Sequence, residues 1–234
     1  MLDMKDNKAL NIIARIKTDF PTKFGIPRQS GLVQSVKGRI VFEKEYRNLE
    51  ALRGLEGYSH LWIIWKFSEA ETDDWSPTVR PPRLGGNKRM GVFATRSPFR
   101  PNPIGLSSVK IERIIEKSGE GPQIEVSGAD MLDGTPIYDI KPYIAYTDSH
   151  PEALGGFSTD VFENKLKVEF GEGIEDSLPK EILEPLKEIL ESDPRPSYQN
   201  DPERIYSFEF ANYHIEFKVN DDELNVILVK DLEK

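Results

Sequence analysis

A chain of 234 residues, 38% hydrophobic and 30% charged, reads as a folded globular protein rather than a disordered or membrane-embedded one, with length for one large domain or a domain plus a smaller one. The absence of cysteine excludes thiolate catalysis, zinc–thiolate centres and disulfide staples, and fits a reducing compartment. A formal net charge of −9 conceals a split, because residues 1–150 carry +3 and residues 151–234 carry −12.

The chain starts "MLDMKDNKALNIIARIKTDF", a very short apolar run with charges on both sides. That pattern is neither a signal peptide nor a membrane span, so a cytoplasmic protein is expected. Strands are expected over 9–17, 38–43, 59–68, 89–96, 106–119, 123–130 and 135–144. Each is β-rich and bounded by Gly, Pro, Asn or Asp. One short helix is expected within 45–57, where Leu49, Leu52 and Leu55 recur at helical spacing before glycines. Seven strands without alternating long helices predict a mainly β barrel or sandwich, not a doubly wound parallel sheet. "LGGNKRMG" lacks the spacing of either common phosphate-cradling glycine motif.

The texture changes at "DSHPEALGGFSTD" (148–160), which reads as a linker, and the boundary is drawn between 150 and 151. Residues 177–193 place Ile182, Leu183, Leu186, Ile189 and Leu190 on one helical face. Pro185 falls within that face, predicting a kink or two short helices. Beyond it, residues 204–232 alternate with period two on either side of "NDDE", the pattern of a hairpin. The second unit is therefore a small α+β domain.

Hydrolytic and metal chemistry find little support. His60, His150 and His214 have no paired ligand spacing, so no metal is expected, and no serine occupies a nucleophile-elbow motif. What stands out is a set of Arg-, Pro- and Gly-rich loops at 24–33, 78–108 and 131–144. Residues 80–100 hold six basic residues and no acidic one. Arginine offers a rigid fork to phosphate, carboxylate or base edges, and proline fixes the loop that carries it. Loops gathered at one end of a barrel are where sites are usually built. A polyanion would meet that local patch rather than the net charge.

"PRQSGLV", "LRGLEGYSHLWIIWKF", "TVRPPRLGGNKRMGVFATRSPFRPNPIGLS", "GADMLDGTPIYDIKPY" and "SDPRPSY" closely resemble the TsaA-like domain of the TrmO family, over about residues 10–215. That family comprises S-adenosylmethionine-dependent tRNA methyltransferases acting on N6 of threonylcarbamoyladenosine beside the anticodon. The resemblance implies a single-sheeted β-barrel enzyme that works as a homodimer, with the cofactor near the subunit boundary.

By the same resemblance, the cofactor pocket draws on Pro27, Arg28, Gln29, Phe67, Ser68, Arg96, Leu106 and the turn Asp133, Gly134, Thr135 and Pro136. Arg80, Arg83, Lys88, Arg89 and Arg100 are the candidates for tRNA phosphate. The acylated acceptor nitrogen is a poor nucleophile until its proton leaves, so a base or acceptor is expected. Asp133, Asp139, His60 and Tyr146 are the candidates, with loss of the proton to water as the alternative. Two other functions fit the same loops: a family methyltransferase with a different acceptor, and a non-catalytic RNA- or nucleotide-binding module.

Overall fold

The computed structural model describes residues 9–70, 74–84, 86–161, 165–195, 199 and 201–234. Six strands close a barrel: β1 (Ala14–Thr18), β2 (Lys37–Phe42), β3 (His60–Lys66), β6 (Ile104–Lys117), β7 (Gly121–Ser127) and β8 (Pro136–Pro142), in the order β1-β2-β7-β6-β3-β8. Every pairing is antiparallel, and β1 with β8 completes the closure. Alternation drives it. Leu61, Ile63 and Trp65 of β3 point inward beside Ile16, Ile40, Val109, Ile124, Val126 and Ile137, leaving the intervening residues outside.

Two expected elements differ. Residues 89–96 were expected as a strand, but only β5 (Met90–Gly91) pairs, with β4 (Thr78–Val79), and Val92–Ala94 form a 3-10 turn. The Thr95 hydroxyl donates to the Val92 carbonyl at 2.9 Å and accepts from Ser97 N at 3.2 Å, so local bonds replace a ladder. Likewise, 45–57 is not one helix but three 3-10 turns, Lys44–Tyr46, Leu49–Leu52 and Leu55–Gly57. Asn48 caps the second turn through Glu50 N, and Gly54 interrupts the run in the left-handed region at φ 89°.

The remaining strands form a second sheet, β10 (Tyr206–Phe210), β11 (Tyr213–Asn220) and β12 (Glu223–Asp231), with β9 (Lys167–Phe170) parallel to β12. The expected hairpin is β11–β12, and a further tight turn at Ala211–Asn212 adds β10. After the short α1 (Ala145–Asp148), the one long helix is α2 (Lys180–Glu191). It runs through Pro185 as a single element and buries Leu186, Ile189 and Leu190. Phe20, Val33 and Val36, from the β1–β2 connection, join this second core beside Phe208, Phe210 and Phe217. That connection therefore lies between the barrel end and the second sheet.

Candidate functional site

Antiparallel pairing fixes which loops meet. Lys66 at the end of β3 faces Ile104 at the start of β6, and Trp65 faces Ile137 of β8. Thr135, just before β8, receives a backbone bond from Ile16 N at 3.1 Å. The β1–β2, β3–β6 and β7–β8 connections consequently gather at one barrel end. They enclose an open cleft of about 2300 Å³.

The cleft floor is built on Trp65. Gly105 leaves room for the indole: a Cβ there would stand 2.2 Å from the ring. Phe67 packs against the same ring, centroids 4.2 Å apart. Trp65 Nε1 donates to Ser107 Oγ at 2.9 Å, and the Ser107 hydroxyl donates to Asp130 Oδ1 at 2.6 Å. Burial pushes the Asp130 carboxyl up to about 6, against the Ser107 hydroxyl, the backbone N–H groups of Asp130 and Ser30, and the charge of Arg96.

One wall is Pro27–Gln29. Arg96 donates to Gln29 Oε1, and Gln29 Nε2 donates to the Arg28 carbonyl at 2.5 Å. Arg28 Nη2 reaches across to the carbonyls of Asp193, at 2.9 Å, and Arg195. Arg195 is itself held by both carboxylate oxygens of Asp193, at 2.9 and 3.1 Å. The second domain thus supplies part of the cleft rim. Pro196 to Tyr198 of the "SDPRPSY" segment lie outside the described residues.

A second wall is the β3–β6 connection. Arg80, Arg89 and Arg100 line the cleft. Arg100 Nη1 donates to the Thr95 carbonyl at 3.2 Å, and Arg89 Nη1 lies 3.4 Å from Thr78 Oγ1. Lys88 is exposed and outside the lining, and the side chain of Arg83 is outside the described residues. Phe93, Phe99 and Leu106 are 71%, 53% and 58% exposed at the mouth, a concentration of large apolar groups facing solvent.

Of the residues named for the cofactor, the cleft gathers Pro27, Arg28, Gln29, Phe67, Ser68, Arg96, Leu106 and Thr135. Asp133, Gly134 and Pro136 stand behind it. Asp133 accepts from Thr18 N at 3.1 Å and Lys17 Nζ at 3.2 Å, and the Gly134 carbonyl accepts from Arg15 at 3.1 Å. The other candidate bases lie apart from the lining. His60 opens β3, about 20 Å from its cleft end at about 3.3 Å per residue, and bonds Ser59 Oγ through Nδ1 at 2.9 Å. Asp139 Oδ1 accepts from Ile140 N at 3.0 Å while its other oxygen pairs with Lys141 at 2.9 Å. Tyr146, on α1, is 92% exposed.

Asp130, Ser107 and Trp65 had been missed. All three lie within expected strands, 59–68, 106–119 and 123–130, where nothing in the local sequence sets them apart as site residues. Among the described residues, no group of three or more His, Cys, Asp or Glu stands ready for a metal, and no helix is long and apolar enough to cross a membrane.

Residues 15–149 match the family model of the tRNA-methyltransferase O N-terminal domain, and residues 163–232 that of the TrmO C-terminal domain. This chain belongs to the TrmO family. A tRNA (adenine(37)-N6)-methyltransferase from Escherichia coli (strain K12) is 38% identical over 218 residues, covering 89% of this chain and 92% of that protein. A Pseudomonas aeruginosa protein described as a putative S-adenosylmethionine-dependent methyltransferase is 40% identical, over 83% of this chain and 85% of its own length. A crystal structure of TrmO from P. aeruginosa superposes with a TM-score of 0.76 at 31% identity, covering 96% of this chain and 97% of that one. In TrmO terms, the barrel apart from Ala14 falls within the N-terminal model and β9 to β12 within the C-terminal one.

Proposed function

We propose that this protein is an S-adenosylmethionine-dependent tRNA methyltransferase acting on N6 of adenine 37, with threonylcarbamoyladenosine as the form of the base it methylates. TrmO membership supports the reaction class. The observation that carries the assignment of the site is the convergence of Gln29, Phe67, Arg96 and Leu106 on one cleft beneath an arginine-rich connection.

The donor set fits the cofactor. Phe67 and Leu106 offer apolar and aromatic surface to adenine and the thioether chain, while Gln29, Arg96 and Asp130 offer polar and charged groups to its ends. When bound, S-adenosylmethionine supplies an electrophilic methyl group on a sulfonium. The chain's part is to hold donor and acceptor in line and to keep water out, since positioning supplies most of such a rate. Pro27, Arg28, Ser68 and the Asp133–Pro136 turn form or back the same pocket. Arg80, Arg89 and Arg100 on the cleft wall take RNA phosphates, with Arg83 and Lys88 of the same connection.

The working assembly is a homodimer in the cytoplasm. A second copy would cover Phe93, Phe99 and Leu106, whose exposure at the mouth is otherwise costly. Residues 1–150 act as the cofactor-binding unit and 151–234 as the unit that completes the rim through Arg195. The test is mass spectrometry of nucleosides from tRNA incubated with protein and cofactor. Methyl incorporation at threonylcarbamoyladenosine is expected, with little into tRNA lacking that modification. Equal methylation of both would remove the substrate assignment, and no incorporation into either would remove the reaction.

A further inference from the structure

The Trp65–Ser107–Asp130 chain ends on a carboxylate whose partner group on the cofactor has not yet been specified. We propose that Asp130 anchors the α-ammonium of the cofactor's methionyl chain, with Arg96 beside it receiving the α-carboxylate. This inference rests on the reading that the cleft holds S-adenosylmethionine.

Three observations carry it. Asp130 lines the cleft together with Gln29, Arg96, Leu106 and Thr135, the space where a ligand would sit. Its orientation is set before any ligand arrives. Oδ1 receives the Ser107 hydroxyl at 2.6 Å, and Ser107 is in turn held by the Trp65 indole at 2.9 Å. The carboxyl is also poorly compensated: burial raises its pKa to about 6 although Arg96 pulls the other way. A fixed cation brought by a ligand would relieve that desolvation.

The juxtaposition favours an amino-acid zwitterion over other ligand groups. A carboxylate and a guanidinium lining one cleft, with the guanidinium near enough to act on the carboxyl, match an ammonium and a carboxylate on one carbon. A proton acceptor acting alone would gain nothing from a neighbouring arginine, which lowers its basicity. The charged group acting on Asp130 is Arg96, from the β3–β6 connection. Ser107 from β6 and Ser30 from the β1–β2 connection face it as neutral partners.

Calorimetry with three probes tests the assignment. S-adenosylmethionine carries both ammonium and sulfonium, S-adenosylhomocysteine keeps only the ammonium, and 5′-methylthioadenosine has neither. For Asp130→Asn, the first two are expected to bind roughly tenfold to a hundredfold more weakly, as the loss of a charge-assisted contact implies. Methylthioadenosine should stay within about twofold. An equal loss for all three would make Asp130 a structural residue. A loss for S-adenosylmethionine alone would assign it to the sulfonium, and no loss would free it of any role; each outcome overturns the proposal.

A second arm needs no variant. In the wild type, homocysteine-bearing ligands should weaken relative to methylthioadenosine as pH falls below about 6, where the free carboxyl protonates. A constant ratio between pH 5 and 8 would overturn the proposal even if the variant failed to fold. Wild-type protein that bound none of the three probes would refute the cofactor reading itself, a result distinct from every outcome above.

Discussion

Replacing Gly105 with Ala places a methyl group where the Trp65 ring already lies. The new Cβ would stand 2.2, 2.4 and 2.6 Å from three ring atoms, whereas carbon atoms rest at about 3.5–4.0 Å. The ring must therefore retreat by more than about 1 Å. It has little room, being 6% exposed, packed against the tilted Phe67 ring and tied to Ser107. Overpacking of this kind costs about 1–3 kcal/mol, and loss of the indole hydrogen bond adds about 1 kcal/mol. At about 2–4 °C per kcal/mol for a chain of this size, the melting temperature should fall by about 5–15 °C. Differential scanning calorimetry measures the shift, and near-ultraviolet circular dichroism reports the displaced indole. Trp65→Phe in the Gly105→Ala background, by shrinking the ring, should recover part of the loss. A Gly105→Ala protein melting within about 2 °C of wild type, with an unchanged aromatic spectrum, would refute this packing of the floor.

Arg96→Ala should weaken S-adenosylmethionine by about 1.5–3 kcal/mol in calorimetry while the melting temperature changes little, since a charge-assisted contact is lost from an exposed side chain. Arg89→Ala should make the log–log salt dependence of tRNA binding shallower by about 0.7–0.9, one phosphate's worth, and leave cofactor affinity unchanged; an unaltered slope would move the RNA face elsewhere. Asp130→Asn removes a carboxyl whose folded pKa is raised, so the wild type's penalty is absent at low pH and grows as pH rises through about 6. The variant's stability relative to wild type should therefore be about 1–1.5 kcal/mol more favourable at pH 8 than at pH 5, measured by urea denaturation. Sedimentation should give about twice 26.7 kDa, and Phe93→Asp should shift the protein toward monomer.

The barrel was legible because its strands bury alternate residues, as His60–Lys66 and Lys37–Phe42 do. Periodicity reports burial on one face but not the presence of a partner strand. Residues 89–96 carried a β-rich composition and found no ladder beyond Met90–Gly91. The leucines at 49, 52 and 55 recur every three residues, a spacing that 3-10 turns satisfy as well as a helix does; of the three, only Leu52 is buried. The loops of the site could be named in advance from their arginines and prolines. That they meet in one pocket came from the family resemblance, because composition alone does not say which strand ends share a barrel rim. Asp130 was hidden for that reason: its chemistry comes from Ser107 and Trp65, which lie 23 residues and more away in sequence. Nor does local composition show that Phe20, Val33 and Val36 pack into the C-terminal core, or that Arg28 bonds the 193–195 backbone.

The central claim is that cofactor and RNA meet at the barrel end formed by the β1–β2, β3–β6 and β7–β8 connections. A crystal structure of the protein with a non-transferable analogue of S-adenosylmethionine tests it most directly. The account predicts the analogue's adenosine against Phe67 and Leu106, and its amino-acid end between Asp130 and Arg96. Ligand bound instead at the far end of the barrel, in the smaller hollow bordered by Leu52, Gly54, Tyr58 and Pro142, would contradict it.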